Sequence, residues 1–342
     1  MEKESLTAYF DRDAPMRLDL FLREYLGASR NQVARLIKSG HVSIDGKPVT
    51  KAGFLLQKGA RIAWEIPEVS DTAPKTVDFD VPVIYEDDDL LVVNKPSGVV
   101  VHPAPSVKEA TLVDWLKSRG VRLSTLSGEE RHGIVHRLDK ETSGALVVAK
   151  NNRSHEALAS QLRDRTMGRY YLALIDLPLK EDRLVEAPVG RNPANRLKMG
   201  VVSGGRPAQT RFVKLLENPR LRLELIAAKL YTGRTHQIRV HLAYLQRHIL
   251  GDHLYGFKSK RDRIERILLH AYVLYLQHPV TGETMVFRAD VPDDMTVWLT
   301  RTFEKERLHE VLDPSGLLRR FGDDRHRLFD EKPDAIGPQT DG

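Results

Sequence analysis

The stretch HGIVHRLDKETSGALVVAK, residues 132 to 150, sets Asp139 in a polar turn closed by Thr142, Ser143 and Gly144. A carboxylate held this way can act as a nucleophile or a base on a bound molecule, provided it stays ionised when substrate displaces water. Two further stretches carry suitable partners. GRYYLALI, residues 168 to 175, contains Tyr171, and TGRTHQIRVH, residues 232 to 241, contains Arg234, His236 and Arg239. The chain has no cysteine, which excludes disulfides, thiolate catalysis and thiolate metal sites and leaves carboxylates, hydroxyls, imidazoles and cations to do any chemistry. His132 and His136 are four apart, but without HExxH or CxxC, and in a segment that reads as strand or loop, they predict no metal site. Each stretch also has an ordinary reading: Asp139 as a turn former, the arginines as a solvated helix start, Tyr171 as a packed ring.

The elements that must position these residues follow from periodicity. From about residue 81 the texture is of short strands, DDLLVVNKP, GALVVAK, GRYYLALI, QTRFVKLL and RLRLELIAAKL, with helices in RSHEALASQLRD and THQIRVHLAYLQ. In RLRLELIAAKL, Leu221, Leu223 and Leu225 alternate with Arg222 and Glu224, which predicts a strand with one wet face. No repeat and no alternating strand and helix pattern appears, so the expected class is α+β with a mainly antiparallel sheet. Residues 67 to 78 carry two prolines and no apolar period, and read as a linker.

Before that linker, Leu18, Phe21, Leu22 and Leu26 have helical spacing, as do Val33, Leu36 and Ile37. Ser29 and Gly40 would cap the second helix, and HVSIDGKPV predicts a hairpin. Arg30, Arg35, Lys38 and Lys47 lie on or near that second helix and could grip phosphate, or could form an ordinary solvated face. Residues 1 to 65 hold eleven Lys or Arg against eight Asp or Glu, and the whole chain of 342 residues carries +6. That balance is compatible with a polyanionic partner. The composition, 41% hydrophobic and 29% charged, is that of a globular protein, and no apolar run approaches the ~20 residues that cross a bilayer. MEKESLTAYF lacks a signal-peptide core, so a cytoplasmic location without membrane attachment is expected.

In order and spacing, HRLDKETSG, RYYLAL, TGRTHQIRVHL and ILGDHLYG resemble the motifs of the RluA-type pseudouridine synthases, with DDLLVVNKPSGVVVHP upstream and LLHAYVLYLQHPVTGE downstream fitting the same family. Arg169 stands where the family usually has lysine. The resemblance spans about residues 81 to 293. The pattern Arg17-Leu18-Asp19, Ser29-Arg30 and Ile37 to Gly46 is similar to the small RNA-binding module first named from a ribosomal protein, with Gly59-Ala60 in place of its usual Gly-Asp. The implied organisation is an RNA-binding domain at 1–66, a linker at 67–80, a catalytic domain of the pseudouridine synthase fold at 81–299, and a partly disordered extension at 300–342, in which 300 to 312 could be helical.

The resemblance implies conversion of uridine to pseudouridine in structured RNA, with large-subunit ribosomal RNA the expected substrate and transfer RNA the alternative. Asp139 would be the catalytic residue, Arg234 its paired cation, and Tyr171 a ring stacked on uracil. His136, Arg137, Thr142 and Leu269 would contact the substrate, Arg137 filling the stack vacated by a flipped nucleotide, while Arg30, Arg35 and Lys38 hold RNA phosphates. The reaction gains and loses no atoms, so no cofactor is expected, and the enzyme would work as a monomer. A non-catalytic RNA-binding factor would dispense with Asp139. A hydrolase would need a second carboxylate at paired spacing, and Glu141, two residues on, would diverge from Asp139.

Overall fold

The computed structural model describes residues 5–26, 30–65, 75–104, 107–124, 126, 132–258 and 264–331. The chain divides into two compact units, one made of Met1–Lys75 and Leu126–Glu129 and a second made of Thr76–Thr125 and Glu130–Gly342.

In the first unit, strands β1 (Ser5–Tyr9), β2 (Met16–Arg17), β3 (Val42–Ile44), β4 (Lys47–Pro48), β5 (Leu55–Leu56) and β6 (Arg61–Glu65) accompany helices α1 (Leu18–Leu26) and α2 (Arg30–Lys38). An antiparallel sheet in the order β1-β6-β3-β4 packs against both helices through Phe10, Leu18, Leu22, Val33, Ile37, Ile62 and Trp64. Gly40 ends α2 with φ +81°, its N–H donating to the Ile37 carbonyl, and Asp45 and Gly46 both take positive φ, the geometry of a tight type I′ hairpin. Arg17 forks onto the buried Asp19 at 2.9 and 2.8 Å, which is the local purpose of the Arg-Leu-Asp pattern. Ala60, where the related modules carry aspartate, is a buried core methyl. Ser29 lies outside the described residues.

The second unit is built on β7 (Val83–Glu86), β8 (Leu90–Lys95), α3 (Leu112–Ser118), β9 (Ser143–Ala149), α4 (Asn152–Arg163), β10 (Gly168–Asp176), β11 (Arg183–Glu186), the hairpin β12 (Val189–Arg191) and β13 (Met199–Val201), β14 (Gln209–Asn218) and β15 (Leu223–Leu230). It continues with α5 (Gln237–Tyr244), β16 (His248–Ile249), β17 (Leu269–Gln277), β18 (Thr284–Arg288), α6 (Asp293–Thr302), α7 (Lys305–Val311), α8 (Pro314–Arg320) and α9 (Arg327–Glu331). The main sheet runs β11-β14-β15-β10-β17-β9-β8-β7, antiparallel except where β17 meets β9. The class is α+β with mostly antiparallel pairing.

Both faces of this sheet are covered. Along β10, Tyr171, Ala173 and Ile175 face one core shared with α3 and α5, while Tyr170, Leu172 and Leu174 face another shared with α6 to α9. The expected wet face of β15 is therefore absent. Glu224 is fully buried, accepting from the Leu179 N–H at 2.8 Å and facing Lys214 at 3.3 Å, and Leu221 falls before the strand. The polar side lies under the core that holds Leu179, Ile226, Ile238, Leu242 and Ile249, while the opposite side, with Leu225 and Ala227, is covered by the C-terminal segment through Leu308, Val311, Leu317, Leu318, Phe321 and Phe329. Up to residue 331 that segment is thus a packing layer rather than an appendage, and 332–342 lie outside the described residues.

Candidate active site

Asp139 sits in a turn whose N–H of Thr142 donates to the Asp139 carbonyl at 3.1 Å, immediately before β9. Each later residue of the motif has a separate task. Ser143 Oγ lies 2.9 Å from His270 Nδ1 and accepts from Arg266 Nη1 at 3.2 Å, which fixes the start of β9 against β17. Gly144 takes φ +117° where β9 approaches β17, and a Cβ there would stand 2.2 Å from the Ala271 carbonyl oxygen, so only glycine fits.

A buried lysine holds the turn from below. Lys95 is fully buried and its Nζ donates to the carbonyls of Pro96, Val99 and Lys140 at 2.7, 2.8 and 3.1 Å, tying the 96–99 segment to the residue after Asp139. Gly98 N–H and Ser97 Oγ add bonds to the Lys140 and Glu141 carbonyls. Burial pushes Lys95 down to about 7, with Asp139 pulling the other way, whereas three acceptors require the three donors of the charged form. Lys95→Met should lower kcat by about tenfold with KM nearly unchanged, because positioning and not binding is lost. The folded value lies below the ordinary 10.5, so from about 7 to 10.5 the unfolded chain binds the extra proton. Stability of the wild type should therefore rise with pH relative to Lys95→Met across that window, a slope that denaturant titrations at several pH values will read.

The Asp139 side chain faces Arg239, whose Nη1 donates to Oδ2 at 3.2 Å, and His236 Nε2 is 3.9 Å from the same oxygen. Arg239 is in the first turn of α5 and nearly buried. Its Nε and Nη2 fork onto Asp252 at 2.8 and 2.9 Å, and its guanidinium lies 4.9 Å from the centre of the Tyr255 ring. Asp252 and Asp139 together hold the guanidinium well above its ordinary value despite burial. Tyr255 in turn binds His236 Nδ1 through its hydroxyl at 2.8 Å. His236 has φ 57°, a left-handed conformation that costs a non-glycine residue and that aims its ring at the carboxylate. Burial lowers the His236 imidazole, keeping it neutral at physiological pH.

This geometry corrects the expected pairing. Arg234 lies in the same cleft, but it precedes α5, its Nε donates to the Pro207 carbonyl at 3.0 Å and its backbone N–H to Gln237 Oε1 at 2.9 Å. The helix begins at Gln237, so Arg239 rather than Arg234 points along its first turn to the carboxylate.

Asp139, Tyr171, Arg234, His136, Arg137, Thr142 and Leu269 all line one cleft of about 620 Å³, a volume within the range of small-ligand sites. Tyr171 is 4% exposed and stands where an extra residue, Tyr272, on β17 breaks the register opposite β10, the kind of bulge that re-aims a side chain. Burial, against an opposing pull from Arg169, pushes its phenol up to about 12, so it remains protonated at neutral pH. His136 Nε2 accepts from the Val147 N–H at 3.1 Å, and burial pushes the ring down to about 3. Its neutral Nδ1–H is then a buried donor without a partner among the described residues. Thr142 Oγ1 is likewise buried and has no hydrogen-bond partner among the described residues, and Arg137 is exposed at the rim. Lys38 is exposed on α2 in the first unit, while the side chains of Arg30 and Arg35 lie outside what is described.

Sequence reasoning missed Asp252 and Lys95, and it named Arg239 and His236 without choosing either as the partner of Asp139. The available signals were the second arginine of TGRTHQIR, the acid of ILGDHLYG that could hold it, and a lysine embedded in an apolar strand. Among the described residues no helix is long and apolar enough to cross a membrane.

In one cleft, then, a carboxylate contacts a guanidinium that it shares with Asp252, beside a buried tyrosine. The family model described as RNA pseudouridylate synthase matches residues 89–244, and the S4 domain matches residues 16–62. An uncharacterised RNA pseudouridine synthase of Helicobacter pylori is 48% identical over 89% of this chain and 95% of its own length. The ribosomal large subunit pseudouridine synthase D of Xanthomonas campestris is 38% identical over 83% of this chain and 88% of its own. The solved structure of human RNA pseudouridylate synthase domain containing 1 superposes with a TM-score of 0.52 at 27% identity, covering 69% of this chain and 95% of that one. The chain belongs to the RNA pseudouridine synthases and carries an RNA-binding S-four-like domain at its N-terminus.

Proposed function

We propose that the protein isomerises particular uridines of large-subunit ribosomal RNA in the cytoplasm, acting as a monomer. The observation that carries the reading is the Asp139–Arg239 contact inside the cleft that Tyr171 also lines. The relatives called ribosomal large subunit pseudouridine synthase D support the choice of RNA.

A uridine inside folded RNA is extruded, at a cost of a few kcal/mol in lost stacking. Arg137, exposed at the rim, takes the vacated stack, and the base enters against Tyr171, Thr142 and Leu269. Asp139, as nucleophile or base, drives breakage of the bond between sugar C1′ and uracil N1. The uracil turns over, C5 bonds to C1′, the proton on C5 leaves and one is gained at N1, so the composition is unchanged. The buried His136 Nδ1–H and Thr142 hydroxyl are positioned to hold the carbonyls of the loose base. Arg239 supplies the charge that keeps Asp139 an anion while water is excluded. In the first unit, Arg30, Arg35 and Lys38 of α2 hold RNA phosphates, positioning the RNA without reading its bases.

Chemical mapping of pseudouridine across all RNAs, in cells with and without the gene, tests this. Loss of modification at large-subunit positions alone is expected, and loss confined to transfer RNA would redirect the assignment.

A further inference from the structure

The wall of the cleft formed by β10 and the segment before α5 is lined by cations that the Asp139 network does not use. Arg169, on β10 two residues before Tyr171, is 8% exposed, and its Nε is buried without a hydrogen-bond partner among the described residues. The guanidinium runs past Gly233, where an added Cβ would meet Nη1 at 2.7 Å, so glycine there makes room for it. Arg206 and Arg234 line the same cleft. Arg234 is lowered by burial and then by the charges of Arg206, Arg165 and Arg169, which places all four within electrostatic reach. Among the described residues none of the four forms a salt bridge.

Like charges gathered in a half-closed cleft, one of them desolvated and unsatisfied, raise the free energy of the empty protein. A carboxylate among them would relieve this, and the chain supplies its nearby acids, Asp139 and Asp252, to Arg239 instead. The missing counterion must come with the substrate. The anion that an RNA offers is the phosphodiester, and planar guanidinium forks suit its paired oxygens. A phosphate lodged against Asp139 would be repelled, so a separate cationic wall is needed to hold it.

We propose that Arg169, Arg206 and Arg234 form a binding site for one backbone phosphate flanking the flipped uridine. The site registers the nucleotide so that its sugar meets Asp139. This rests on the synthase reading given above.

The test uses the full-length protein and a short RNA hairpin bearing a mapped uridine, made with a neutral methylphosphonate at either the 5′ or the 3′ linkage of that nucleotide. With wild type, one of the two substitutions should weaken binding by about tenfold, as loss of a charge-assisted contact does. In Arg206→Gln and Arg169→Lys the same substitution should change binding by less than about twofold, because the partner has already been removed or reduced to a point charge. Arg206 is exposed and Arg169→Lys keeps the charge, so both variants should fold. An undiminished penalty in both variants would overturn the proposal. So would the absence of any linkage effect, including the case in which Arg169→Lys lowers kcat on unmodified RNA, which would assign the guanidinium to the base. Turnover of the unmodified hairpin by wild type tests the synthase reading separately, and its failure would sink that reading rather than the subsite alone.

Discussion

Asp139→Asn should bind RNA as tightly as wild type and form no pseudouridine, with single-turnover rates down by on the order of 10⁴-fold or more. The amide matches the carboxylate in size but lacks the negative charge, and with it the nucleophilicity and basicity needed to attack or deprotonate. The fold should tolerate the change. The side chain is 16% exposed, and Arg239 keeps its fork on Asp252 when Asp139 is neutralised. Removal of one partly solvated contact costs within about 1 kcal/mol. Gel-shift affinity together with product counted by mass spectrometry separates binding from chemistry, and substantial turnover by this variant would refute the assignment.

Arg239 should give the second largest effect, with a different signature. Arg239→Met leaves Asp252, 1% exposed, as a buried charge without its cation, at a cost of about 3–5 kcal/mol. Low activity in that variant could therefore reflect unfolding, so the informative change is Arg239→Lys. An ammonium can satisfy Asp252 or reach toward Asp139, but it cannot fork onto one and contact the other. We expect a folded protein by circular dichroism and a kcat reduced by about 10²-fold, roughly the loss that follows removal of one preorganised electrostatic contact. Arg234→Lys should be much milder in kcat, since Arg234 touches the Pro207 carbonyl rather than the carboxylate. If the two variants exchanged these effects, the pairing seen here would be wrong.

Much of the site could be read in the sequence because it is local. HRLDKETSG carries its turn, its carboxylate and its close-packing glycine within nine residues, and helical spacing placed α1, α2, α4 and α5. The choice between two arginines could not be read, because it depends on where α5 starts and on Asp252, thirteen residues beyond Arg239. The role of Lys95 was hidden for a similar reason: two of its three acceptors are near neighbours, but the third belongs to Lys140, which folding alone brings to it. The strand at 223–230 misled because alternation of Leu with Arg and Glu signals a half-solvated strand only if nothing covers the polar side. Here Glu224 meets Lys214 and the Leu179 N–H inside the protein. Strands β1 and β6 carry few residues each, too few to establish a period, and are fixed by pairing with each other.

Tyr170 and Tyr171 are adjacent and point to opposite sides of β10. Tyr171 reaches the cleft, while Tyr170 donates to Asp323 and packs edge-on against Phe321 at 5.0 Å. The tail of the chain thus buttresses the reactive pocket from behind through a single peptide link. Sequence drift at Asp323 or Phe321 would be felt as a tilt of the Tyr171 ring, so a relative that trims this tail has to brace the same strand some other way.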